Sequence, residues 1–198
     1  MNLKIAIQKK GRLAEPSKKY LASFGLQFPV NNKQLAIKCL NQPVSLINVR
    51  DNDIPKYVSE SAVDYGIVGL DVVNESGRKI KVVRKLDFCK CQMVIAAPIG
   101  SGIKSVKDLQ GKRIATSYPN ILGKFLNLNQ IKSKIVVVEG SVELAPYLEA
   151  ADAVFDITET GRTLKEFDLV PIKTVLKSQA VLITSLNNKQ RKFFNLPI

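Results

Sequence analysis

Short apolar runs alternate with amphipathic segments along nearly the whole chain. The amphipathic segment 12–24 places Leu13, Leu21 and Phe24 on one helical face. This alternation predicts an α/β fold of parallel or mixed sheets covered by helices. Several of the predicted strands end in small residues and a helix start, and ligands of open α/β sheets bind at that edge. The predicted strands include residues 3–7, 44–49, 63–68, 92–97, 113–116, 134–138, 153–157, 170–176 and 180–184.

The chain is strongly basic, with 30 Lys and Arg against 17 Asp and Glu and a net charge of +13 over 198 residues. This charge favours anionic partners, either nucleic acid or phosphorylated metabolites. Aromatic residues make up only 7% and are not interleaved with the basic clusters, so no platform for stacking single-stranded bases is evident. Most of the lysines are expected to lie on a solvated surface.

The sequence contains no histidine, which excludes a Ser-His-Asp triad, a Cys-His dyad and a histidine general base. The three cysteines, Cys39, Cys89 and Cys91, are too few for a disulfide framework and are expected to pack rather than react. The longest uncharged stretch, 91–103, is too short to span a membrane, and charge appears too early for a signal peptide. We therefore expect a cytoplasmic protein.

Segment 152–164 carries the clearest chemical pattern, an apolar strand that ends near Asp156 and runs into Thr160-Gly161. Backbone N–H groups at a helix start, with threonine hydroxyls and a glycine, form a phosphate cradle. The preceding carboxylate can accept hydrogen bonds from vicinal ribose hydroxyls or hold Mg²⁺ through water. The pattern indicates a sugar 5-phosphate site. The alternative is an ordinary capped helix with Asp152 and Asp156 as surface residues.

Five other segments occur in order around this one: IAIQKKGRL at 5–13, VRDNDIP at 49–55, DYGIVGLD at 64–71, RIATSYPN at 113–120 and EGSVELAP at 139–146. Together the six resemble the ATP phosphoribosyltransferases of histidine biosynthesis. The resemblance implies a two-lobed fold like that of type II periplasmic binding proteins, with mixed sheets and helices on both faces. Lobe I would comprise residues 1–88 and 172–198, and lobe II residues 89–171 with the phosphoribosyl-binding loop.

The resemblance also implies a reaction, the transfer of the 5-phosphoribosyl group of phosphoribosyl pyrophosphate to N1 of ATP with release of pyrophosphate. Adenine N1 is unprotonated at neutral pH, so the reaction needs no strong base, which agrees with the missing histidine. The barrier lies in positive charge at C1 as pyrophosphate leaves. Positioning, substrate-bound Mg²⁺ and Lys or Arg on the leaving group would carry catalysis. No protein ligand of the metal is assigned.

Matching positions imply the phosphoribosyl-pyrophosphate site. Its residues are Asp156, Glu159, Thr160, Gly161, Arg162 and Thr163. Residues 160–163 would hold the 5-phosphate mainly through backbone N–H groups, and Asp156 would accept from the ribose hydroxyls. Glu159 would direct its side chain outward and contribute only its N–H.

The implied catalytic residues are Lys9, Arg12 and Arg50, which would contact triphosphate or pyrophosphate. Lys9 and Arg12 would also bind ATP, together with Asp71 and Glu143. Asp71 would orient the adenine or a metal. Glu143, in a predicted first helical turn, is either a ligand contact or a surface carboxylate favoured by the helix dipole.

The resemblance is to the short form of the family, without a C-terminal regulatory domain. Residues 185–198 are too few for such a domain, so a homodimer working with a regulatory subunit similar to histidyl-tRNA synthetase is implied. One departure is Phe167-Asp168, where the family usually turns with Asn-Gly, so a looser turn is expected. Two other hypotheses stay open: a non-enzymatic two-lobed module that binds a phosphorylated metabolite, and a nucleic-acid-binding protein.

Overall fold

A computed structural model describes residues 2–29 and 34–187. The chain forms two compact units, one of Met1–Cys89 with Gln179–Ile198 and one of Lys90–Ser178. The first crossing lies beside the one expected near residue 88. The second was expected near residue 172, but that position falls inside a long strand of the second unit, so the crossing comes at Ser178. The expected tail at 188–198 lies outside the described residues.

The described strands follow in chain order: β1 Leu3–Gln8, β2 Ala36–Lys38, β3 Val44–Val49, β4 Tyr65–Gly69, β5 Ile80–Lys85, β6 Cys91–Pro98, β7 Arg113–Thr116, β8 Lys134–Val137, β9 Ala153–Thr158, β10 Leu169–Ser178 and β11 Ala180–Ser185. The helices are α1 Ala14–Ala22, α2 Ile54–Ser59, α3 Leu70–Ser76, α4 Pro119–Leu128, α5 Leu144–Tyr147 and α6 Arg162–Glu166. Short 3₁₀ turns cover Asp51–Asp53 and Val106–Leu109.

The first unit is built on a mixed six-stranded sheet of order β2-β3-β1-β4-β11-β5. Strands β3 and β4 pair with β1 in parallel, whereas β11 runs antiparallel to both of its neighbours. Side chains of β1 alternate between the two faces. Ile5 packs in a cluster with Leu21 of α1, and Ala6 packs in another with Ile54 and Val58 of α2. Helices therefore cover both faces of the sheet.

The second unit repeats this plan on a five-stranded sheet of order β10-β6-β9-β7-β8. Strands β8 and β9 flank β7 in parallel, and β6 is antiparallel to β9 and to β10. Leu122 of α4 packs with Phe155 on one face, and Leu164 of α6 packs with Val154 on the other. The α/β fold with mixed sheets and helices on both faces is thus confirmed within each unit.

Local patterns in the sequence predict helix starts at residue 12, at Gly140-Ser141 and after a Ser117 cap, and all three differ in the structure. Helix α1 begins at Ala14 rather than at residue 12: Arg12 and Leu13 form a turn after Gly11, whose φ of +116° lies outside the right-handed helical region. Helix α5 begins at Leu144 because Gly140 and Ser141 both have positive φ. Ser117 does not cap α4; its hydroxyl donates to the Val138 carbonyl oxygen at 2.6 Å.

The turn at Phe167-Asp168 keeps a left-handed conformation without glycine. Asp168 has a φ of +51°, a region that aspartate tolerates better than most residues. Its N–H donates to the Lys165 carbonyl at 3.2 Å, and its carbonyl accepts from Ile99 N–H at 2.9 Å. In the described part of the chain, 2–29 and 34–187, none of the helices has the length and apolar character needed to cross a membrane.

Candidate functional site

In the second unit, the carboxyl ends of β7, β8 and β9 meet at one edge of the sheet. Thr116 pairs with Val137 on one side and with Phe155 on the other. The loops that follow these three strands therefore lie side by side. They contain the 117–118, 138–143 and 159–161 segments, two of which were singled out in the sequence for other reasons.

The loop after β9 forms the strand-to-helix turn that the sequence predicts. Gly161 adopts a φ of +76° directly before α6, and its N–H donates to Thr158 Oγ1 at 2.9 Å. The N–H of Arg162 makes a longer bond to Thr160 Oγ1, at 3.4 Å. These two N–H groups are bonded to threonine hydroxyls, so an arriving phosphate oxygen would have to replace the hydroxyls as acceptor. The freed hydroxyls could then donate to the same anion.

Side chains of this loop are mostly exposed. Glu159, Thr160 and Thr163 are open to solvent. The Arg162 guanidinium is also exposed and donates from Nε to Glu166 Oε1 at 2.9 Å, one turn along α6. The guanidinium is therefore paired within its own helix, and backbone groups are the loop's main resource for binding an anion.

Asp156 lies within β9 just before this loop and is partly buried. Its Oδ1 accepts a hydrogen bond from Ile157 N–H at 2.7 Å. Burial raises the pKa of Asp156 to about 6; the hydrogen bond from Ile157 opposes this shift, and the charge of Glu143 adds to it. At pH 7 the carboxylate is still mainly ionised and can accept from hydroxyl groups. The fold thus brings together Asp156 and Glu143, which the sequence placed in separate segments.

Asp152, the other carboxylate of the segment, belongs to the opposite end of the sheet. Its two oxygens accept from the Arg113 guanidinium, with Nη2 to Oδ1 at 2.9 Å, and Oδ2 also accepts from Arg113 N–H at 2.7 Å. These hydrogen bonds lower the pKa of Asp152. The strand direction thus separates the two aspartates: Asp156 lies toward the carboxyl edge of the sheet and Asp152 at the far end.

Ser117 joins two of the edge loops, a role that the sequence did not reveal. Its hydroxyl donates to the Val138 carbonyl at 2.6 Å and accepts a long bond from Gly140 N–H at 3.4 Å. This holds the start of the 138–143 loop, which leads to Glu143. The only sequence signal was a serine between a strand and a proline-initiated helix, and that pattern favours a helix cap instead.

In the first unit, the basic residues collect at the carboxyl edge of the sheet in the same way. Gln8 pairs with Val49 across β1 and β3, and Lys9 N–H donates to the Val49 carbonyl at 2.8 Å. Lys9 and Arg50 therefore follow paired residues at the ends of neighbouring strands. Both are exposed, as is Arg12 in the same loop as Lys9.

Asp71 follows β4 at this edge but differs from the basic residues in its burial. Only 3% of its surface is exposed, and its carboxylate folds back over the backbone of Gly69, where a Cβ atom would overlap it. A side chain at position 69 would therefore displace the Asp71 carboxylate, so Gly69 leaves room for that carboxylate rather than providing a special backbone angle. Asp71 thus lies in the first turn of α3 with its carboxylate packed in the interior.

Across residues 2–29 and 34–187 there is no group of three or more His, Cys, Asp or Glu placed to hold a metal ion. Mg²⁺ commonly binds through one or two carboxylates with substrate phosphates and water completing its shell, so a single carboxylate such as Asp156 would be enough to meet a substrate-bound Mg²⁺.

Comparison with known proteins decides the family. Residues 50–196 match the family model described as HisG: ATP phosphoribosyltransferase. The chain belongs to this family. It is 43% identical over 187 residues to the ATP phosphoribosyltransferase of Maricaulis maris, covering 91% of this chain and 64% of that protein. This ATP phosphoribosyltransferase family member thus spans somewhat less than two thirds of the length of that curated relative.

Solved structures agree with both the family and the fold. The HisG:HisZ ATP phosphoribosyl transferase complex from Thermotoga maritima contains a chain that is 32% identical, with a TM-score of 0.80 over 92% of this chain and 87% of that one. The arginine-bound ArgBP of Thermotoga maritima is 13% identical, with a TM-score of 0.57 over 93% and 88% of the two chains. The likeness to ArgBP concerns the fold alone and confirms the predicted resemblance to binding proteins.

Proposed function

We propose that the chain transfers the 5-phosphoribosyl group of phosphoribosyl pyrophosphate to N1 of ATP and releases pyrophosphate, the first step of histidine biosynthesis. The observation that carries the proposal is the placement of a mainly ionised Asp156 beside the Thr160-Gly161 turn, at the carboxyl edge of a mixed sheet in a chain of this family. An acceptor for a diol and donors for a phosphate lie next to each other there.

The 5-phosphate is bound by the turn before α6. Its oxygens accept from the N–H groups of Gly161 and Arg162, which now bond to Thr158 and Thr160 hydroxyls. Because those hydroxyls can rotate to donate, the loop needs little backbone movement to receive the anion. The ribose hydroxyls then donate to Asp156. The charge of Glu143 adds to the negative potential at Asp156, so hydrogen bonds donated to Asp156 become more favourable.

Pyrophosphate departure is assisted by cations rather than by a base. Lys9, Arg12 and Arg50 share the carboxyl edge of the first unit, where three exposed cations can bind a pyrophosphate group. Mg²⁺ bound to the substrate phosphates would neutralise part of the charge that develops on the leaving oxygen. Adenine N1 attacks C1 through its own lone pair, so the absence of histidine from the sequence is no obstacle.

The direct test is a pyrophosphate-release assay with ATP and phosphoribosyl pyrophosphate. Release that depends on both substrates, with a product joined at adenine N1, supports the proposal. A non-enzymatic binding module would bind phosphoribosyl pyrophosphate without releasing pyrophosphate. A nucleic-acid-binding protein would instead bind RNA at micromolar concentration with a steep dependence on salt.

Asp156→Asn provides the residue-level test. Loss of a charged acceptor is expected to weaken phosphoribosyl pyrophosphate by about one to two decades and ATP much less. Asp152→Asn is the matched control, since it makes the same chemical change at the opposite end of the sheet. Equal binding by Asp156→Asn and the native chain in calorimetry would leave Asp156 with a structural role only.

The Thermotoga complex, whose matching chain this protein covers to 87%, supports assembly of this chain with a HisZ-type regulatory subunit. The homodimer, and the similarity of the regulatory subunit to histidyl-tRNA synthetase, rest on the family resemblance alone. Histidine would then inhibit the assembly and not the isolated chain. Micromolar binding of histidine to the chain alone would contradict this assignment. The proposed substrates suit a cytoplasmic enzyme, as does a sequence with only three cysteines.

A further inference from the structure

The basic loop 9–12 in the first unit is fastened to the turn at Asp51 by one side chain, that of Gln8. Gln8 is the last residue of β1 and is partly buried. Its Nε2 donates to Asp51 Oδ2 at 3.0 Å, and its Oε1 accepts from Leu13 N–H at 3.1 Å. Both ends of the amide are therefore used, one on each side of the loop.

The backbone of the loop is shaped around this amide. Gly11 adopts a φ of +116°, and a Cβ atom there would lie 2.8 Å from Gln8 Nε2 and 2.9 Å from Gln8 Oε1. The loop thus closes over the Gln8 side chain, and only glycine permits the approach. Leu13 donates its N–H to the Gln8 amide oxygen, and its side chain is buried in the core. Leu13 therefore anchors the far end of the loop.

Asp51 is the second anchor. Its Oδ1 accepts from Asn52 N–H at 3.1 Å, which holds the carboxylate within its own turn, while Oδ2 accepts from Gln8. Asp51 adjoins Arg50, one of the proposed catalytic residues. The amide of Gln8 consequently joins the loop that carries Lys9 and Arg12 to the turn that carries Arg50.

We infer that Gln8 is a positioning residue that sets the spacing between Lys9, Arg12 and Arg50 for binding of a pyrophosphate group. This rests on the proposed function, in which these three cations meet the leaving group. Gln8 itself does not touch the substrate. A residue here must offer one donor and one acceptor together, so glutamine fits, whereas glutamate would set a second carboxylate against Asp51.

The test measures binding of inorganic pyrophosphate to the full chain by calorimetry. Gln8→Met, which keeps the charge and removes both hydrogen bonds, is expected to weaken pyrophosphate about five- to tenfold. Gln8→Glu is expected to weaken it at least as much. Asp51→Asn retains an acceptor for Gln8 Nε2 and is expected to bind nearly as the native chain does.

The double variant Gln8→Glu with Asp51→Asn distinguishes geometry from charge. It has the native net charge, and its hydrogen bond is reversed, because the new amide at position 51 can donate to the new carboxylate at position 8. The positioning role is supported if the double variant binds pyrophosphate with native-like affinity and the effects of the two single substitutions do not add up to that of the double variant. If Asp51→Asn instead strengthens binding as much as Gln8→Glu weakens it, only charge matters and the inference is wrong.

Urea unfolding midpoints show whether each variant is folded. If Gln8→Met does not fold, Gln8→Glu, Asp51→Asn and the double variant still test the positioning role. Lys9→Met separates the two levels of the proposal. If Lys9→Met weakens pyrophosphate and Gln8→Met does not, the positioning role fails and the proposed function stands. If Lys9→Met leaves binding unchanged, the pyrophosphate group does not bind to this loop and the positioning role fails, while the pyrophosphate-release assay still decides the proposed function.

Discussion

Glu143, just before α5, lies close enough to Asp156 in β9 for its charge to raise the pKa of Asp156 further above the ordinary value of 3.8. Two carboxylates beside each other at the edge of a sheet are unfavourable without a ligand or cation to separate their charges. Burial is the larger cause of the shift, to about 6. The stability of the ligand-free protein is therefore reduced at the position that the proposed function needs.

The stability cost of Asp156 should be visible as a pH dependence. A carboxylate with a raised pKa binds protons more tightly in the folded state, so its contribution to stability falls as pH rises from 3.8 to about 6. Asp156→Asn keeps an acceptor for Ile157 N–H and loses the buried charge. We expect the variant to exceed the native chain in free energy of unfolding by about 1–3 kcal/mol at pH 7 and to match it near pH 4. Urea titrations across this range test it; a gap independent of pH would contradict it.

Asp152 should show the opposite dependence. Its pKa is lowered by Arg113, so its contribution is present at neutral pH and is lost as pH falls below the ordinary value of 3.8. The Arg113 and Asp152 side chains are 41% and 32% exposed, so solvent screening keeps the contribution of the pair small. We expect Asp152→Asn to lower the free energy of unfolding slightly at pH 7 and not at all near pH 2. Calorimetry should find its affinity for phosphoribosyl pyrophosphate unchanged.

Replacement of Gly161 isolates the backbone conformation of the phosphate loop. A Cβ atom there meets nothing within 4 Å, so Gly161→Ala acts only through its φ of +76°. We expect a loss of roughly 1 kcal/mol in stability and weaker binding of phosphoribosyl pyrophosphate.

The control for that variant is Gly123→Ala in α4. Its φ is not in the left-handed region, and the new Cβ would contact Ile135 Cδ1 at an ordinary 3.7 Å. This variant should be more stable by about 0.5–1 kcal/mol with unchanged ligand binding. Equal effects of both alanines on ligand binding would show that the left-handed angle at Gly161 does not matter.

Gly66 in β4 should be intolerant of any side chain for a different reason. A Cβ atom there would lie 2.5 Å from Ile54 Cγ2 and 3.0 Å from Val58 Cγ2, both buried in α2. Gly66→Ala should therefore push α2 away from the sheet and cost about 1–3 kcal/mol by overpacking. Thermal unfolding measures the loss, and an unchanged melting temperature would mean that α2 can shift freely.

Local patterns in the sequence were sufficient to predict most secondary-structure elements and the family of the chain. Runs rich in apolar residues predicted strands such as Val44–Val49 and Arg113–Thr116 at their observed bounds, because burial in the interior of a sheet selects apolar and β-branched side chains. The turn before α6 was also predicted correctly, since Thr160-Gly161 carries its own conformational preference.

Tertiary structure alone decided which side chains meet. Gln8 and Asp51, or Glu143 and Asp156, are far apart in the chain and become neighbours only when parallel strands align their carboxyl ends. The same pairing assigned Ser117 to the Val138 carbonyl rather than to a helix cap. A propensity is a property of adjacent residues, whereas a hydrogen bond between loops depends on sheet order and register. Those are determined by how the whole core packs, not by any local segment.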